Sequence, residues 1–87
     1  MTDDAPFEFP CAFPIKVFGH NDKAFRDEAC SIVSSHFPDL ELDQVRENVS
    51  RDGKYVSLTF TVQAQDRVGL DDLYRKLSAN PQVLMAL

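Results

Sequence analysis

The sequence contains no tryptophan, three glycines, two histidines and two cysteines among its 87 residues. A phosphate-cradling loop needs clustered glycines, and none of the glycine-rich nucleotide-binding patterns occurs. A small secreted domain stapled by disulfides usually has about four or more cysteines. Cys11, His20, Cys30 and His36 also lack the paired spacing of a zinc site. The sequence therefore predicts no catalytic residue, no metal site and no cofactor.

Basic residues are in the minority, with nine Lys and Arg against fourteen Asp and Glu and a formal net charge of −5. Because nucleic-acid affinity comes largely from cations that neutralise phosphates, this balance weighs against nucleic-acid partners and anionic membrane surfaces. The chain also lacks an apolar run long enough to span a bilayer, and no basic segment followed by an apolar one opens it. We expect a cytoplasmic protein that does not associate with membranes.

The composition is that of an ordinary folded domain, with 44% hydrophobic residues and seven phenylalanines. A chain of this length fits one domain and excludes two. We interpret residues 1–11 as an irregular N-terminal lead-in and residues 12–87 as a single domain.

Hydrophobic periodicity divides that domain into six elements. Alternating apolar residues predict strands, and apolar residues spaced by three and four positions predict amphipathic helices. The predicted order is a strand at Ala12–Phe18, a helix at Lys23–Phe37, strands at Leu40–Ser50 and Tyr55–Ala64, a helix at Asp66–Ala79 and a strand at Val83–Leu87. Asp52-Gly53 is typical of the hairpin turn between the two middle strands.

Each predicted helix has one apolar stripe, so together the helices can cover only one face of a four-stranded sheet. With right-handed crossovers, this predicts an α+β fold, a ferredoxin-like β-α-β-β-α-β two-layer sandwich with an antiparallel sheet in the order 4-1-3-2. The first and third strands are then central, and the other two are edges.

The uncovered face of the sheet is the first candidate site. By the alternation of the central strands it presents Lys16, Phe18, Tyr55, Ser57 and Thr59. This face is either solvated or covered by an oligomer, or it binds a small-molecule effector or a protein partner. RNA stacked on Tyr55 and Phe18 is the alternative that RNA-recognition modules suggest.

The last predicted strand is the second candidate, since it is apolar and has no charged residue. Its candidate pairing residues are Val83, Leu84, Met85 and Leu87. Exposed edges of this kind are an aggregation hazard unless they are paired or covered. Two interpretations remain open: both faces of the strand are buried inside the monomer, or the edge pairs with a second copy or a protein partner.

Three segments together resemble the YbeD-like family of small uncharacterised bacterial proteins. They are FPCAFPIKVFG at 9–19, SRDGKYVSLTFTVQA at 50–64 and DLYRKLSANPQVLMAL at 72–87. The resemblance implies a fold similar to ACT regulatory domains, which bind amino acids or small effectors, commonly at dimer interfaces. It implies no established activity and no functional residues. We therefore expect a non-catalytic ACT-like regulatory or interaction module.

Overall fold

The computed structural model describes residues 10–87, which fold in the order strand, helix, strand, strand, helix, strand. The elements are β1 (Cys11–His20), α1 (Lys23–His36), β2 (Arg46–Val49), β3 (Tyr55–Ala64), α2 (Arg67–Ala79) and β4 (Val83–Ala86). The strands form one antiparallel sheet in the order β2-β3-β1-β4. Read from the other edge this is the predicted order 4-1-3-2, so the ferredoxin-like prediction is confirmed.

The hydrophobic core lies between one face of the sheet and the two helices. Its buried members are Ile15 and Val17 of β1, Val56, Leu58, Phe60, Val62 and Ala64 of β3, Phe25, Ala29 and Val33 of α1, and Leu70, Leu73 and Leu77 of α2. Within each central strand these residues alternate along the chain, so they share one face of the sheet. Both helices therefore pack on that face, and in the part of the chain that the structure describes nothing packs as a second layer on the other one, which we call the uncovered face. Within residues 10–87, no helix is long and apolar enough to cross a membrane.

An aspartate cap fixes the start of each helix. The carboxylate of Asp22 accepts a hydrogen bond from the backbone N–H of Phe25 at 2.8 Å, and that of Asp66 accepts one from Gly69 at 2.8 Å. Each bond satisfies a backbone donor that the first turn of a helix leaves without an intrahelical partner. Asp66, the first residue of the predicted second helix, is thus the cap of α2 and precedes its first turn.

The predicted second strand, Leu40–Ser50, is too long. β2 covers only Arg46–Val49, and Leu42–Gln44 forms a single 3₁₀ turn before it. Two apolar residues of the predicted strand, Leu40 and Val45, pack against the core from the connection instead. Val45 and Val49 share a parity that fits a strand, but a pattern of two residues cannot locate where pairing begins.

β1 is longer at both ends than the predicted Ala12–Phe18. It begins at Cys11, which was assigned to the lead-in, and it runs through Gly19 to His20. Pro10 lies in a bend, and the rest of the predicted lead-in, residues 1–9, lies outside the described residues. Gly19 does not end the strand: a Cβ there would lie 2.2 Å from a ring carbon of Phe25, so this position needs a residue without a side chain.

Pro14 is tolerated in a central strand because of its phase in the ladder. The N–H of Lys16 points towards β4 and donates to the carbonyl of Leu87 at 3.0 Å. Pro14 has the same parity as Lys16, so its nitrogen points to the same side. The described pairing with β4 covers Val17 to Gly19 and the bonds at Lys16, and it stops short of Pro14. The missing N–H therefore costs no strand pairing.

The β2–β3 hairpin is joined to the start of α1 through Asn21. The backbone N–H of Asn21 donates to the carbonyl of Lys54 at 2.9 Å, and its side-chain amide donates to the carbonyl of Gly53 at 2.9 Å. The Arg26 guanidinium donates to the Asn21 side-chain oxygen at 2.6 Å. Gly53 has a φ of +78°, which its lack of a side chain permits.

Candidate functional site

The uncovered sheet face brings all five predicted face residues onto neighbouring strands. One row across the sheet contains Arg46, Thr59, Lys16 and Leu87. The next row contains Asn48, Ser57, Phe18 and Met85. Tyr55 follows beside His20, with their ring centroids 5.3 Å apart. The predicted face is therefore one continuous surface that spans all four strands.

The charge on this face differs from that of the whole chain. Lys16 and Arg46 are exposed and lie on either side of Thr59. Among the residues of the four strands, the only carboxylate is that of Glu47, which has the parity of the helix-covered face. Its oxygens accept hydrogen bonds from Arg26 of α1 at 2.9 and 3.1 Å. The uncovered face is thus cationic although the chain has a net charge of −5.

Ser57 is less accessible than the sequence suggests. It is 7% exposed, because it lies between Phe18 on one side and Asn48 on the other. Its hydroxyl makes a long hydrogen bond of 3.5 Å to the carbonyl of Asn48. A pocket of about 180 Å³ lies beside it, lined by Phe18, Asn48, Val49, Ser50, Tyr55, Val56 and Ser57. Three predicted residues thus share a pocket that Lys16 and Thr59 do not line.

The β4 edge is exposed rather than enclosed. The exposed fractions are 53% for Leu84, 54% for Met85 and 62% for Leu87. Val83 is half-buried and packs against the core. A register shift between Phe18 and Gly19 leaves Leu84 as the extra residue of a bulge. The interpretation that both faces of this strand are buried inside the monomer is therefore wrong for Leu84, Met85 and Leu87.

A larger pocket of about 570 Å³ lies at the opposite end of the molecule, and the sequence did not reveal it. It is lined by the end of α1, the connection from Pro38 to Val45, the last residues of β3 and the start of α2. Its volume falls within the range of small-molecule pockets, about 300 to 1,000 Å³. One signal was present: Leu40 and Val45 are apolar in a segment that lacks the alternation of a strand.

The thiols and histidines remain poor candidates for chemistry. Burial raises the pKa of the Cys30 thiol, with smaller contributions from Asp27 and Glu47, so its reactive thiolate is disfavoured. His36 lies on α1 with its Nδ1 3.2 Å from the carbonyl of Ile32, one turn before it. His20 packs against Tyr55. Each of these groups has a local structural explanation.

Two solved structures share the architecture. One is the ACT domain from the GTP pyrophosphokinase of Chlorobium tepidum, with a TM-score of 0.65 and 18% identity over 88% of this chain and 97% of that chain. The other is the C-terminal domain of the MgtC protein from Mycobacterium tuberculosis, with a TM-score of 0.69 and 15% identity over 93% of this chain and 88% of that chain. At these identities the likeness shows the fold alone, and it confirms the expected ACT-like fold.

Sequence relatives match over the full length. A UPF0250 protein of Nitrosomonas europaea is 41% identical over all of both chains, and one of Chromobacterium violaceum is 42% identical over all of both chains. A UPF0250 protein of Paraburkholderia phytofirmans is 36% identical over 99% of this chain and 97% of its own. The family model described as "Protein of unknown function (DUF493)" matches residues 4–87. The expected resemblance is confirmed, and the chain belongs to this bacterial family of unknown function.

Proposed function

We propose that the chain is a non-catalytic, ACT-like regulatory or interaction module that self-associates through the β4 edge. The observation that carries this proposal is the exposure of Leu84, Met85 and Leu87, each more than half exposed, on an edge strand without a charged residue. Contiguous exposed apolar side chains mark interaction sites, because their burial against a partner is favourable.

The backbone of this edge supports strand pairing as the mode of contact. Leu87 exchanges two hydrogen bonds with Lys16, at 2.8 and 3.0 Å, so its N–H and C=O point towards β1. In an antiparallel ladder the preceding residue, Ala86, then points its N–H and C=O away from β1. These outward groups are what a strand from a second copy would pair with. Two copies related by a two-fold axis would form one continuous antiparallel sheet.

The ligand part of the proposal concerns the cationic face. Lys16 and Arg46 offer charge for an anionic group, and Phe18 and Tyr55 border the small pocket beside Ser57. The pocket of about 180 Å³ is smaller than a typical ligand site, so it fits one group of an effector rather than the whole molecule. A small anionic metabolite with an apolar group is the class that matches both features.

Light scattering on the full chain tests the self-association. We expect a dimer at high micromolar concentration, and we expect Met85→Lys to convert it to a monomer because the lysine places charge in the paired edge. Val68→Lys is the matched control, since Val68 is 68% exposed on α2, away from this edge. A strict monomer for the unchanged chain, or equal loss of dimer in both variants, removes this part of the proposal.

NMR of the labelled chain tests the ligand part. A panel of small carboxylate and phosphate metabolites should contain a compound that shifts the amides of Lys16, Tyr55 and Ser57. Lys16→Gln should weaken that response, whereas Lys76→Gln on α2 should not, because Lys76 lies on the helix layer. Silence across a broad panel counts against an effector on this face.

A second candidate is RNA binding on the same face, as the sequence suggested. The observation that favours it is the combination of Lys16 and Arg46 with the exposed ring of Tyr55. The net charge of −5 opposes it, because the remaining carboxylates repel phosphates. Gel retardation of single-stranded RNA at low salt should be weakened by Tyr55→Ala. No retardation at low salt discards this candidate.

A further inference from the structure

The large pocket exists because β2 is shorter than β3. β2 pairs with β3 from Val56 to Thr59, whereas β3 continues to Ala64. Along its other edge β3 is paired with β1 over its whole length. Beyond the end of β2, Thr61, Val62 and Gln63 of β3 line the pocket, while β1 pairs along the other side of the strand.

The phase of the ladder shows which backbone groups face this gap. The N–H of Ser50 donates to the carbonyl of Tyr55 at 2.8 Å, so Tyr55 points its backbone groups towards β2. Residues of the same parity do so along the whole strand. Thr61 and Gln63 thus direct their N–H and C=O groups into the gap. In the described part of the chain, no strand pairs with them on that side.

The pocket joins this open backbone edge to an apolar floor. Phe37, Leu40 and Val45 are half-buried and pack against the core, and Val62 is buried beneath them. A chain lying beside β3 would place alternate side chains on this floor, because side chains alternate between the two faces of a strand. Backbone pairing and a side-chain pocket thus coincide at one place.

The charged residues that line the pocket indicate which charge a bound molecule should have. The residues that line the pocket include three acids, Asp39, Glu41 and Asp66, and one base, Arg46. Asp66 also caps α2. Asp39 and Glu41 are exposed on the connection at the rim. The excess of carboxylates favours a basic occupant over an acidic one.

We propose that this gap binds an extended peptide segment with apolar and basic side chains, which adds a strand beside Thr61 and Gln63. A second copy fits less well, because its free strand β4 has no basic residue. The chain's own residues 1–9 also match poorly, since they include Asp3, Asp4 and Glu8 but neither lysine nor arginine. The proposal is independent of the β4 edge, which lies at the other side of the sheet.

Backbone-resolved NMR of the full chain tests this site with a defined probe, acetyl-Lys-Val-Lys-Val-Lys-amide. We expect the peptide to shift the amides of Thr61 and Gln63 and those of Leu40 and Val45 on the floor. The matched peptide with Glu in place of Lys should bind more weakly. A third peptide, with N-methyl groups on the residues that pair, should not bind, because it keeps the side chains but loses the strand hydrogen bonds.

Two variants connect the response to the rim charges. The double variant Asp39→Asn with Glu41→Gln should lower the affinity for the lysine peptide about two- to fivefold for each charge removed, as expected for exposed ion pairs. Asp71→Asn with Asp72→Asn on α2 is the control and should leave the affinity unchanged.

Three results would overturn the proposal. The first is equal binding of the N-methylated peptide, and the second is a response confined to residues away from the gap. The third is strong protection of the Thr61 and Gln63 amides from exchange in the free protein, because their hydrogen bonds would then already be satisfied without a peptide.

Discussion

The two edges of the sheet differ in how they meet solvent. All four residues of β2 are exposed, and two of them, Arg46 and Glu47, are charged. In β4 no residue is charged, and its two terminal residues, Val83 and Ala86, are half-buried against the core. An ion pair between Glu47 and Arg26 also ties β2 to α1.

The two edges therefore differ in how far they discourage pairing with another chain. Charged side chains discourage pairing with another chain, and β2 uses this device. The bulge at Leu84 disturbs the ladder of β4 but leaves apolar side chains outside. We therefore expect association at the β4 edge, which has no charged residue. At the β2 edge, a gap remains beside Thr61 and Gln63, beyond the end of β2.

The packing beneath the β1–β4 pair can be disrupted at Gly19, which pairs with Val83. Gly19→Ala would place a Cβ 2.2 Å from a ring carbon of Phe25, which is fully buried. We expect the free energy of unfolding to fall by about 1–3 kcal/mol, the usual cost of overpacking. Urea denaturation measures this loss.

A second substitution checks the cause of that loss. Phe25→Leu in the Gly19→Ala background should relieve the clash, so the double variant should be less destabilised than the sum of the two single variants. Additive losses would contradict the assigned contact, since residues in contact couple.

The β2 side has its own weak point at the hairpin turn. Gly53 has a φ of +78°, and a Cβ there would meet no atom within 4 Å, so any cost of a side chain comes from the backbone. Gly53→Ala should lower the free energy of unfolding by about 1 kcal/mol. Gly53→Asn is the matched control and should cost less, because asparagine tolerates this conformation. Equal losses in thermal unfolding would refute the explanation.

A smaller effect is expected from the ion pair that ties β2 to α1. Arg26 donates to both carboxylate oxygens of Glu47, which is 46% exposed, so solvent screens the attraction. A double-mutant cycle with Arg26→Ala and Glu47→Ala should give a coupling of about 0.2–1 kcal/mol. The pair Arg75 and Asp72, within α2, should give less because both side chains are at least half exposed. A coupling no larger than that of the control pair would show that the Arg26–Glu47 ion pair adds nothing to stability.

The smallest effect is a dependence on pH confined to the β2 side. The hydrogen bonds from Arg26 lower the pKa of Glu47 below its ordinary 4.5, and the Ser50 hydroxyl lowers the pKa of Asp52 below its ordinary 3.8. A lowered folded pKa adds stability above the ordinary value, which is lost as the pH falls through the folded one. Glu47→Gln should therefore flatten the stability profile below about pH 4.5. An unchanged profile would contradict this assignment.

The sequence predicted best the elements whose pattern repeats over several turns or alternations. β3 was predicted with its observed bounds, Tyr55–Ala64, because ten residues alternate without interruption. The predicted ends of both helices lie within one residue of the observed ones, and local signals mark them. Asp22 and Asp66 cap the starts, and Pro38 and Pro81 follow the ends. Long periodic segments are easier to predict, because each further residue that fits the period supports the same assignment.

The parts that failed depend on pairing between distant residues. The missing alternation in residues 40–45 is too weak a signal to place the start of β2 at Arg46, so the gap beside Thr61 was not predicted. The burial of Ser57 arises from neighbours on two other strands, Phe18 and Asn48. The register of a sheet sets both features, and local periodicity defines which face a residue takes but not what lies beside it.

Asn21 has a further consequence for how the molecule opens. It receives a bond from Arg26 and gives two to Lys54 and Gly53, so the hairpin tip and the first turn of α1 share one small network. We expect this network to couple the opening of the two segments, so that they exchange together. Amide hydrogen exchange at Asn21 should then report the opening of both segments, although they are separated by about thirty residues of chain.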